Sequence, residues 1–208
     1  SSDLFVKESF SSNKMRTPKP LFPIITGGTN FDGIMITMKD DIPFHEMVRI
    51  AFEIQRVLNC KEQPTLQEAL SSTESSIKAA GFNYQTVMIG VQCASSRLFN
   101  ETTKAYLFDG SKTTDEMVSY WKSLCQSHPI VYLENPFLPS DVESFAKLGG
   151  EFNEKITIAT TDCPKSQSEL LLMHQSVGLL LDPINFGRMY QTINLIREVS
   201  TSHRKLIM

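Results

Sequence analysis

The chain has no run of apolar residues near the roughly 18 to 20 that a membrane-spanning helix needs. Its opening, SSDLFVKESF, has neither the charged start nor the apolar centre of a secretory signal. It also lacks a basic excess. Twenty Lys and Arg against 23 Asp and Glu, scattered for a formal net charge of -3, leave no stripe for nucleic acid or an anionic membrane, so neither is expected as a partner. Cysteine is sparse and unpaired. Cys60, Cys93, Cys125 and Cys163 form no CxxC motif, and two of them lie in apolar strand or helix patterns. Buried reduced thiols in a cytoplasmic, intracellular chain are therefore expected. His45, His128 and His174 sit on predicted helices or at their ends without metal-ligand spacing, which makes them structural.

What remains is enough for a core. Hydrophobic residues make up 41% of the 208, which suits one domain or part of a larger one. After a polar arm over residues 1–19, LFPIITGG and GIMITMKD read as two successive strands, the first closed by Gly27 and Gly28. Two helices follow. In PFHEMVRIAFEIQRVL, residues Phe44, Met47, Val48, Ala51, Phe52, Ile54 and Leu58 fall near helical spacing, and TLQEALSSTESSIKAAG ends in a glycine suited to a C-cap. Strand and helix then alternate. Strands are predicted near 21–26, 34–38, 86–93, 130–134, 156–160 and 178–182, with Lys205 to Met208 starting another. An irregular stretch follows Cys93, and helices follow near 113–128, 139–150, 165–175 and 186–200; Tyr120 and Trp121 are core-packing residues of the first. This order implies a parallel sheet covered by helices. The strand-strand-helix-helix opening points to a barrel in particular. Six strands and the start of a seventh fall short of the eight of a closed barrel, so residues 20–208 are expected to be part of a longer protein.

Barrels of this class place their chemistry at the C-terminal strand ends. Here those ends are Thr29 and Asn30, Gln92, Glu134 and Asn135, Thr160 and Thr161, and Asp182. The stretches around them carry a resemblance. GVQCASSRLF resembles the enolase stretch GLDCASSEFF, and PIVYLENPF resembles PIVSIEDPF; IKAAG, ITGG and LLLxxxNxxG also occur in enolases in the same order. The chain from about Pro20 to Met208 therefore resembles the enolase C-terminal barrel, without the family's N-terminal domain or the barrel's last strands.

The resemblance implies a phosphopyruvate hydratase, which removes water from 2-phosphoglycerate in glycolysis. Three strand-end carboxylates would hold magnesium, a lysine would take the proton, and glutamates would help the hydroxyl leave. Carried over residue by residue, only Glu134 matches a metal carboxylate. Gln92 stands at the first metal position and Thr160 at the third, in ATT for the family's GDD. Asp182 takes the place of the base lysine, and Asn30 that of a loop histidine. An amide and a hydroxyl bring no charge, and a carboxylate for an ammonium reverses the local field where an anion must bind. Two further pieces find no match. CKEQPT joins the two helices where the family's glutamate loop would lie, and Ser202, His203 and Arg204 follow Asp182 too closely to be the family's SHR at a strand end. No tightly held cofactor is expected, although Glu134 and Asp182 could share a weak cation site; magnesium belongs to the alternative, a working hydratase. The first reading is a catalytically deficient enolase-like protein, docked with other protein subunits or paired as a homodimer. Its pattern of losses resembles the divergent enolase-like branch of sperm, which implies a cilium or flagellum.

Overall fold

A computed structural model describes residues 19–152, 155–160, 177–180, 196 and 206–207. The chain opens with β1 (Phe22–Thr26) and β2 (Phe31–Met38), which pair antiparallel. A connection this short admits no other direction. Gly27 takes φ +78°, and a Cβ at Gly28 would fall 2.1 Å from the Phe31 ring, so the turn needs both glycines. Helices α1 (Phe44–Val57) and α2 (Leu66–Ala79) come next, followed by β3 (Val87–Cys93). Here the structure departs from an all-parallel sheet, because β3 lies antiparallel to β2. One crossover helix carries a chain back to the start of its sheet, but a pair of helices returns it to the end it left. Met38 accordingly faces Val87.

The stretch after Cys93, irregular by sequence, is ordered. A short helix α3 (Ser95–Leu98) leads into an antiparallel three-stranded sheet of β4 (Phe99–Asn100), β5 (Ala105–Leu107) and β6 (Ser111–Lys112). Left-handed backbone at Lys104, Asp109 and Gly110 makes its tight turns. Beyond it run α4 (Thr114–Ser127), β7 (Ile130–Glu134), α5 (Val142–Phe152), β8 (Thr157–Thr160), β9 (Val177–Leu180) and β10 (Leu206–Ile207). The main sheet has the order β1-β2-β3-β7-β8-β9-β10, parallel from β3 onward and open among the described residues. That is the incomplete barrel the element order implies.

Local chemistry fixes the helix ends. Thr65 and Thr113 each form a capping box, with Glu68 and Glu116 returning to the cap backbone. At the end of α2, Gly81 (φ +85°) donates to Lys78 O and Phe82 to Ile77 O, the paired bonds of a glycine C-cap. Helices cover one face of the sheet, where Ile34, Ile36, Ile89, Val91, Leu133 and Ile158 are 0–1% exposed. Trp121 packs there against Phe108 and Tyr120, and its indole N–H donates to Pro136 O at 3.1 Å. The face that α1 buries differs from the full apolar set of its sequence. Met47, Ile50, Ala51 and Ile54 are buried, whereas Phe44, Val48 and Phe52 are exposed.

Candidate functional site

Because β2 is antiparallel, its first residues lie at the same end of the sheet as the C-terminal ends of β3, β7 and β8. Residue 30 is thus brought level with Gln92, Glu134 and Thr160, which one end of a sheet collects from sequence positions far apart. Gln92 and Glu134 are direct register partners and point to the same face. Gln92 Nε2 donates to Glu134 Oε1 at 3.3 Å, and Tyr132 Oη donates to Glu134 Oε2 at 2.9 Å. Two side chains thus hold Glu134 in place. A carboxylate only accepts, so the amide turns its nitrogen toward it.

Glycines make room for this network. A Cβ at Gly33 would sit 2.5 Å from Gln92 Oε1, and one at Gly90 would sit 3.1 Å from the Tyr132 ring. Glu134 is 8% exposed, and burial pushes its carboxyl above the ordinary range; the hydrogen bonds from Tyr132 and Gln92 oppose that rise, and the charge of Asp32 adds to it. Burial, with the neighbouring Glu134 charge, also raises the Tyr132 phenol, so it serves as a neutral donor.

The other positions are placed differently. On β8 the register partner of Glu134 is Ala159, which has no ligand atom and packs with Met35 and Tyr132. Thr160 is 1% exposed and falls by the strand's alternation on the face of Ile158. Asn30 is not directed at an open mouth. Its Oδ1 accepts from Leu66 N at 2.8 Å and its Nδ2 donates to Asp109 Oδ1 at 3.2 Å, which ties the β1–β2 turn to α2 and to the small sheet. Asn135 adopts φ +50°, a left-handed conformation that asparagine tolerates, and its carbonyl accepts from Ser95 Oγ. Thr161, Asp182, Ser202, His203, Arg204, His174 and Cys163 lie outside the described residues. Cys60, Cys93 and Cys125 are free thiols, of which Cys93 is fully enclosed and the others partly so. His45 is exposed, and His128 Nδ1 meets Glu74 Oε1 at 2.6 Å.

Magnesium requires hard, charged oxygens arranged octahedrally. The described strand ends offer one buried carboxylate already bonded to two neutral donors, an amide facing it through nitrogen, and an alanine. These do not fit the ion, and among the described residues no three His, Cys, Asp or Glu converge as a metal site. Sequence reasoning missed two participants. Tyr132 stands where the resembling stretch PIVSIEDPF has serine, and its place two residues before Glu134 on one strand face was a usable signal. Arg97 stands where GLDCASSEFF has glutamate. Its Nη2 donates to Phe31 O at 3.1 Å and to Asp32 Oδ1 at 3.2 Å, and its Nη1 to Thr29 O at 3.2 Å, so it clamps the β1–β2 turn.

An open strand-helix sheet that gathers its polar side chains at one end of the strands defines an α/β protein of the TIM-barrel class. The profile of the enolase C-terminal TIM barrel domain matches residues 60–197, and the chain belongs to the enolase family. The enolase of Corynebacterium kroppenstedtii is 23% identical over 221 residues, covering 92% of this chain and 52% of that protein. That of Methanosarcina barkeri is 26% identical over 174 residues, covering 71% and 40%, and that of Sulfolobus acidocaldarius 28% over 134, covering 62% and 31%. The chain thus spans about half or less of the length of these relatives. No helix among the described residues is long and apolar enough to cross a membrane.

Proposed function

We propose that this chain is a catalytically deficient enolase-type barrel segment that serves as a structural or docking subunit of a larger protein assembly. One observation carries the reading: both oxygens of Glu134, the single matched metal carboxylate, are engaged by Gln92 and Tyr132. In this site a cation would have to compete for those oxygens with an amide N–H and a phenol O–H. Asn30 supports the reading, because both ends of its amide brace neighbouring elements. Its similarity in pattern of loss to the sperm branch of the family makes a flagellar assembly the first in which to seek partners.

The test is turnover. Purified protein given 2-phosphoglycerate and magnesium is expected to show no conversion above background, and calorimetry no micromolar magnesium binding. Conversion at ordinary enzyme rates, of order 10 per second, abolished by Glu134→Gln, would overturn the reading in favour of a working hydratase. The exposed helix α5 is a poor place to probe docking by charge reversal. Asp141 Oδ1 caps it through Ser144 N at 3.1 Å, and Glu143 pairs with Lys147 at 3.2 Å, so reversal there would perturb the helix itself.

A further inference from the structure

We draw no further inference here: the strongest candidate, the open cleft at the N-terminal ends of β3, β7 and β8 lined by Tyr84, Met88, His128, Val131, Glu151 and Phe152, carries nothing because His128 and Glu151 are already bonded to Glu74 and Lys122 and nothing in the structure shows what covers its apolar part.

Discussion

The two faces of the main sheet differ sharply. On the helix-covered face, Ile34, Ile36, Ile89, Val91, Leu133 and Ile158 pack without a polar atom among their side chains. On the other face, near the strand ends, Gln92 and Tyr132 both donate to Glu134 in space that Gly33 and Gly90 leave open. The first face is what any barrel segment needs in order to fold. The second is where a hydratase would need charged groups ready for a metal and a substrate, and here both oxygens of Glu134 accept internal hydrogen bonds. The contrast teaches that a fold and its chemistry are written in alternate residues of the same strands, so the two can change independently.

The comparison can be broken most forcefully on the packed side. Trp121→Ala removes a buried indole and orphans Pro136 O, and should cost about 3–5 kcal/mol in a denaturant titration; a loss below 1 kcal/mol would mean that this face is not the stabilising one. Next in size is Asn30→Ala. It leaves the buried Leu66 N–H without an acceptor and should cost about 1–3 kcal/mol, while Asn30→His, which restores the residue type of the resembling loop, should confer no activity. Were Asn30 a substrate-facing group, its removal would leave stability unchanged.

The capping boxes come third. Thr65→Ala should lower the melting temperature by roughly 2–4 °C. The Lys61 ion pair and the hydrogen bonds from Thr65 hold the Glu68 carboxyl down at about 2. A depressed folded pKa stabilises above the ordinary carboxylate range and is lost as pH falls toward that value, so the effect of Thr65→Ala should shrink between about pH 4.5 and pH 2. The smallest effect is expected at Glu134. Its folded pKa is raised, so its ionised form costs stability at neutral pH, and the cost disappears as pH falls below the ordinary carboxylate value. Glu134→Gln should therefore raise the melting temperature slightly at pH 7 and leave it unchanged near pH 3. A drop at pH 7, together with a stabilisation by magnesium that the unaltered protein shows and the variant lacks, would show that the carboxylate is a ligand after all.

Much of the fold was legible, because periodicity reports burial directly. Strands at Ile130–Glu134 and Val87–Cys93 fall within a residue of where apolar runs place them, and Gly81 closes α2 as its position suggests. The direction of β2 was less legible, since it depends on whether one helix or two bridge the strands. The three-stranded sheet after α3 was missed because its strands of two or three residues are too short to show alternation. On α1, apolar residues occupy two faces, and periodicity alone does not say which one the sheet will take.

Within the site, residue types told which groups carry no charge: an amide at 92, a hydroxyl at 160 and an asparagine at 30 cannot become carboxylates or an imidazole in any fold. That much the sequence by itself determined, because ionisation is a property of the side chain. Only the tertiary structure decided what these groups bond to. Register sets Gln92 beside Glu134 and Ala159 beyond it, alternation turns Thr160 to the other face, and the antiparallel β2 carries Asn30 to the start of α2. Each of these is a distance between residues far apart in the chain, fixed by strand pairing and packing and by nothing local to the residues themselves.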